Sequence, residues 1–233
     1  NTSSALNPWK LDRSSFGSSS GTVSASVAGL IGFGIGTETG GSIVFPASSV
    51  GASGLRPTFS RVSRFGCMPL SWSLDKIGPV GRSAEDCGHI LEQIIGFDPR
   101  DNSSTDRPFS FRADPGSMRG RRLGVHRREF LLSQSDHNRQ VFQTALDVWE
   151  SMGVIIEDID LPMYPTGALF TTIVTVESGT IFEPLFADGR ARGMFSFNED
   201  RAAGWMAGRM MPASDYLTAQ RIRSQLTREA DQI

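Results

Sequence analysis

Two serines in glycine-rich turns are the residues best suited to chemistry. Ser18 lies in Phe16-Gly17-Ser18-Ser19-Ser20-Gly21, and Ser42 closes Gly36-Thr37-Glu38-Thr39-Gly40-Gly41-Ser42. A serine hydroxyl is a weak nucleophile until a base takes its proton and donors hold the oxyanion that forms. Gly40 and Gly41 can take backbone angles barred to other residues, so consecutive N–H groups near Ser42 can converge on one cavity. That is the outline of a nucleophile beside an oxyanion hole.

Such turns work only if ordered elements hold them. Gly32, Gly34 and Gly36 interleave with Phe33 and Ile35, which predicts a short buried strand closely approached by its neighbours. The small residues from Thr22 to Leu30 predict a closely packed helix with Ser18 near its start. Composition alone would make Ser-Ser-Ser beside glycine a flexible linker. A packed helix followed by a second Gly-Gly-Ser turn argues for a built turn instead.

Competing motifs fail on spacing. A Gly-x-Ser-x-Gly elbow needs glycine at 44, where Val44 stands. His89, His126 and His137 form no metal-binding pair, so no metal is expected. Gly34 to Gly40 has one residue too many for a dinucleotide fingerprint, and no Gly-Lys-Ser/Thr follows, so no cofactor is expected either.

The two serine turns, their separation and the sequel Phe45-Pro46-Ala47 resemble the amidase signature family. So do Gly54-Leu55-Arg56-Pro57-Thr58, Ser73-Leu74-Asp75-Lys76-Ile77-Gly78-Pro79 and Gly81-Arg82-Ser83-Ala84-Glu85-Asp86, with a weaker likeness over the remainder. The resemblance implies an α/β amidase-signature fold, a mixed central sheet covered by helices on both faces and incomplete in this chain. It implies Ser42 as acyl-enzyme nucleophile and Ser18, after a cis Gly17–Ser18 peptide, as proton relay. The oxyanion donors fall on Thr39, Gly40, Gly41 and Ser42, with Gly17, Ser19, Thr37 and Glu38 in support. Glu38 stands where most members have Asp. Phe16 and Ser20 replace glycines of the usual first turn, and Val44 replaces a common arginine.

The family's third catalytic group is a lysine N-terminal to the first serine, in an apolar setting that lets it act as a neutral base. Only Lys10 and Lys76 are present, and neither matches that position. The expectation is therefore a fragment of a longer enzyme, inactive by itself, with its base outside the chain. The implied activity is hydrolysis of a carboxylic amide to acid and ammonia or amine through an acyl-enzyme. The alternatives are the glutaminase (A) component of a tRNA-dependent amidotransferase, or a silent homologue. A small-molecule amide is the expected partner, a homodimer is compatible, and no direct nucleic-acid or membrane binding is expected.

The composition of the 233 residues agrees: 39% hydrophobic, 21% charged and a formal charge of −2 argue against a nucleic-acid-coating surface. No apolar run reaches the roughly 20 residues needed to span a bilayer. Cys67 and Cys87 read as buried, reduced thiols, consistent with a cytoplasmic protein.

The expected organisation is a signature core over 1–97, a surface loop over 98–121, and a strand-helix-strand unit with a helical pocket region over 122–233. Arg122 to His126 and Val154 to Ile159 read as strands, joined through a helix within Ser135 to Met152 carrying Val141, Phe142, Ala145, Leu146, Val148 and Trp149 at helical spacing. Strand, helix, strand at that length predicts parallel pairing. The apolar clusters Leu169-Phe170, Ile181-Phe182 and Leu185-Phe186 suit either ordinary core or a channel wall, and Met206, Met210 and Met211 suit the same two roles.

Overall fold

The computed structural model describes residues 5–113, 116–131, 135–191 and 199–233. Its contacts divide the chain into two compact units, Asn1–Ala113 with Gly167–Ala219, and Asp114–Thr166 with Gln220–Ile233.

The first unit opens with β1 (Leu6–Asn7) paired antiparallel to β2 (Lys10–Ser14), followed by α1 (Ser20–Val27). Then come β3 (Gly34–Glu38), α2 (Val44–Val50), β4 (Ser53–Gly54), β5 (Lys76–Gly81) and α3 (Ala84–Ile94). These strands form an antiparallel sheet in the order β3-β5-β4. In β3 burial alternates: Gly34, Gly36 and Glu38 face inward while Ile35 and Thr37 are exposed. The expected buried strand is thus buried on its glycine face alone, because side chains of the flanking segments occupy that space. Val23, Ile43, Val50 and Val80 make one core cluster, joining α1, α2 and β5 around the residue that follows Ser42. Full burial of a side chain such as Ile43 contributes about 1.5–3 kcal/mol. Val62, Ile77 and Leu91 form a second cluster under α3.

Helix α3 starts where its sequence directs. The Ser83 hydroxyl accepts from Asp86 N–H, and the Asp86 carboxylate accepts from Ser83 N–H. The Ser83 hydrogen bond holds the Asp86 carboxyl below the ordinary carboxylate range. Cys87 on this helix is buried, and burial pushes its thiol up, as expected of an inert thiol. Cys67 departs from the expectation. It is exposed, because the segment around Phe65 and Met68 is itself exposed and offers no apolar cover.

The second unit contains β6 (Arg122–Val125), α4 (Arg127–Leu131), α5 (Asp136–Ser151) and β7 (Ile155–Asp158). β6 and β7 pair in parallel, Arg122 opposite Ile155 and Val125 opposite Asp158, as the crossover length predicts. The Ser135 hydroxyl caps α5 by accepting from Asn138 N–H. No residue of α5 is buried, and Val141, Phe142, Val148 and Trp149 are each more than a third exposed. The periodicity predicted the helix correctly but says nothing about what covers its apolar stripe.

The chain continues through α6 (Thr166–Ile181), α7 (Glu183–Ala187), α8 (Glu199–Gly208) and α9 (Ala213–Ala230). On α6 the fully buried Glu177 accepts from the Ser71 hydroxyl at 2.5 Å, from Ser73 N–H at 3.1 Å and from the Tyr216 hydroxyl at 2.8 Å. One carboxylate therefore ties the loop before β5 to two helices. Phe182 is buried and stacks on Trp205, with ring centroids 4.4 Å apart. Met206, Met210 and Met211 are exposed. Among the described residues no helix is long and apolar enough to cross a membrane.

Candidate active site

Ser42 sits in the turn between β3 and α2, anchored on both sides. Behind it, Ile43 is wholly buried in the core. Ahead of it, Gly41 holds φ at +112°, a backbone conformation that L side chains rarely adopt. Glu38, fully buried at the end of β3, reaches across the turn. Its Oε2 accepts from Ile43 N–H at 2.8 Å and from Val44 N–H at 3.0 Å. Charge-assisted bonds of this kind are stronger than neutral ones and satisfy two N–H groups at the head of α2. Among the described residues Glu38 Oε1 has no hydrogen bond, and its counter-ion is Arg56, whose guanidinium lies 3.6 Å away. Val44, in the position of the common arginine, is exposed.

Ser18 stands in the turn before α1, and the Gly17–Ser18 peptide is cis. Phe16, at a position where glycine is usual, takes φ of +61° and packs its ring against Phe45 with centroids 5.0 Å apart. The two serine turns are joined directly. Ser19 N–H donates to the Ser42 carbonyl at 3.1 Å. The Ser19 hydroxyl donates to the Thr37 carbonyl at 3.1 Å and accepts from Thr37 N–H at 3.2 Å. Ser19 is thus the residue that registers the first turn on β3.

Ser18, Thr37, Thr39 and Ser42 line one cavity of about 540 Å³ within the first unit. Among the described residues, the hydroxyls of Ser18 and Ser42 make no hydrogen bond, and neither do the N–H groups of Gly40, Gly41 and Ser42. Donors left unspent beside a serine are what an oxyanion requires. Phe170 of α6 lies over Gly40 so closely that a Cβ there would fall 2.2 Å from the ring.

The remaining wall includes residues to which sequence reasoning gave no role. Asp75 Oδ2 accepts from Leu70 and Ser71 N–H at 2.8 and 2.9 Å, while Oδ1 accepts from the Thr39 hydroxyl at 2.5 Å. It pins the cavity-lining loop to the serine turn. Lys76 also lines the cavity, and its ammonium donates to the carbonyls of Thr39 and Leu74. Arg64 binds the Trp72 carbonyl and the Ser103 hydroxyl, and Phe65, Cys67, Trp72 and Phe182 complete the wall. The Ser-Leu-Asp motif was visible in the sequence, but nothing local shows that its aspartate reaches Thr39. Phe182 lines the serine cavity and Phe170 lies over Gly40, while Leu169 is buried in the core, and Met206, Met210 and Met211 are not among the lining residues. Among the described residues no cluster of His, Cys, Asp or Glu suits a metal ion.

A family model described as Amidase matches residues 2–233. The chain belongs to the amidase family. Its relatives include the A components of glutamyl-tRNA(Gln) amidotransferases. That of Roseiflexus sp. is 42% identical over 161 residues, covering 68% of this chain and 33% of the relative. That of Anaeromyxobacter sp. is 32% identical over 253 residues, covering 97% and 51%. Among solved structures, the peptide amidase from Stenotrophomonas maltophilia superposes with a TM-score of 0.76 at 29% identity, over 93% of this chain and 49% of that one. The glutamyl-tRNA(Gln) amidotransferase A component from Thermotoga maritima gives 0.77 at 27% identity, over 97% and 49%. This amidase-family chain spans about half the length, or less, of the relatives it matches.

Proposed function

We propose that this chain carries the nucleophile and proton relay of an amidase that hydrolyses carboxylic amides through an acyl-enzyme. The observation that carries the reading is the joining of two serine turns at one cavity by the bond from Ser19 N–H to the Ser42 carbonyl, beside N–H groups with no other partner among the described residues. Ser42 Oγ attacks the amide carbonyl carbon. Its proton passes through Ser18 to the lysine base that the family resemblance implies, a position matched by neither Lys10 nor Lys76. The oxyanion is held by backbone N–H groups among Thr39, Gly40, Gly41 and Ser42, which cost no reorganisation as charge develops. The same relay protonates the departing ammonia or amine, and water then attacks the acyl-enzyme and releases the acid. Glu38 fixes the angle of the Ser42 turn, and Ser19 and Thr37 hold the relay turn in place.

Reaction of the complete protein with a fluorophosphonate, followed by peptide mass spectrometry, tests the nucleophile. Label is expected on Ser42. Ser42→Ala is expected to lower amide turnover at least about 10⁴-fold, and Ser18→Ala about 10²- to 10⁴-fold. Wild-type turnover in Ser42→Ala would overturn the assignment.

The identity to the A components of amidotransferases supports a second reading, in which the released ammonia passes to a partner protein. Glutaminase activity that appears only in a co-purified complex would favour it. Turnover of simple amides by the isolated protein favours the standalone amidase.

A further inference from the structure

We propose that a second cleft binds a small organic anion through three arginines. Arg56, Arg61 and Arg107 line a cavity of about 400 Å³ together with Leu55, Leu91 and Phe109. No acidic residue is among its lining residues. The three guanidiniums are little used. Arg56 has the 3.6 Å contact with Glu38 Oε1, Arg61 makes one long bond of 3.4 Å to the Pro108 carbonyl, and Arg107 forms no ion pair or hydrogen bond among the described residues. A guanidinium presents five N–H donors in a fork matched to phosphate and carboxylate oxygens. Three of them line this cleft, and among the described residues the one carboxylate paired with any of them is Glu38, at Arg56.

The cavity is larger than a bare phosphate needs, and Leu55, Leu91 and Phe109 stand among its lining beside the arginines. Guanidiniums beside a few apolar side chains suit an oxyanion attached to a small hydrophobic body. The chemistry is therefore that of an aryl phosphate or an aryl carboxylate. Bidentate pairing favours the phosphate for charge, and either source offers a ring to Leu55, Leu91 and Phe109.

Calorimetric titration of the complete protein with phenyl phosphate, benzoate and inorganic phosphate tests the site. Saturable binding of phenyl phosphate, tighter than inorganic phosphate, is expected; benzoate binding as tightly would identify a carboxylate as the natural group. Arg107→Ala is expected to weaken phenyl phosphate about tenfold or more, as loss of one charged hydrogen-bonding partner. Arg61→Ala is expected to do the same, while Arg13→Ala, an exposed arginine outside the cleft, leaves affinity unchanged. Because Arg107 is exposed on a loop, its variant should melt like the parent even if Arg61→Ala fails to fold. Fluorophosphonate labelling of Ser42 is expected to be retained in Arg107→Ala, which separates this site from the proposed nucleophile. Absence of saturable binding, unchanged affinity in Arg107→Ala, or equal weakening by Arg13→Ala would each overturn the proposal.

Discussion

The serine turns and helix α5 are both clear patterns in the sequence, yet the fold treats them in opposite ways. The turn around Ser42 is fixed from every side. Ile43 is buried in a core cluster, the Glu38 carboxylate binds two N–H groups behind the serine, Ser19 joins the second turn, and Phe170 closes over Gly40. Helix α5 has a capped start and regular apolar spacing, but none of its residues is buried. A short polar motif is specified by many unlike contacts, each demanding a particular residue. An amphipathic helix is specified by its own hydrogen bonds and cap, and its stripe is indifferent to what lies against it.

Removing the most deeply embedded contact should widen that difference most. Glu38→Ala leaves the N–H groups of Ile43 and Val44 without their acceptor and opens a cavity. The expected loss is about 3–5 kcal/mol in stability, with at least a hundredfold loss of Ser42 labelling by fluorophosphonate. Glu38→Gln keeps an acceptor in place and should recover much of both. Equal damage from the two variants would show that the ion contact with Arg56, rather than the hydrogen bonds, holds the turn.

Gly41→Ala tests the turn conformation itself. At φ of +112° an added Cβ is strained whatever space surrounds it, costing about 1–3 kcal/mol. Labelling of Ser42 should fall by more than the melting temperature suggests, because the strain is released by moving the N–H groups beside the serine. Normal labelling with reduced stability would show that these N–H groups do not set its reactivity.

Asp98 supplies a pH-dependent contrast inside the first unit. The Arg100 guanidinium, then Arg100 N–H and the Ser63 hydroxyl, hold its carboxyl well below the usual carboxylate range. Because the folded value is depressed, the stabilisation is complete above the unfolded value near 4 and is lost as pH falls toward the folded one. Asp98→Asn should therefore melt below the parent at pH 7, with the difference shrinking at pH 3. A constant difference across that range would assign the effect to packing.

The smallest effect is expected on α5. Val148 is 53% exposed, so Val148→Ala should change stability by no more than about 0.5 kcal/mol in this chain. A loss of 1 kcal/mol or more would show that the stripe is covered in solution, and would erase the contrast with the serine turns.

Sequence alone determined the local facts. The glycines around Ser42, the apolar period of α5 and the crossover from β6 to β7 all act over a few residues or through fixed connection lengths, so spacing reports them. The family resemblance also marked Glu38 as a supporting residue by its place in the turn. Only the tertiary structure decided the partners. That Asp75 would reach Thr39, Glu177 would hold Ser71 and Ser73, Phe170 would cover Gly40, and Cys67 would lie open beside the serines rather than in the core depends on residues far apart in the chain. The physical reason is that hydrogen bonds and burial between distant segments are settled by packing geometry, which no local pattern of residue types encodes.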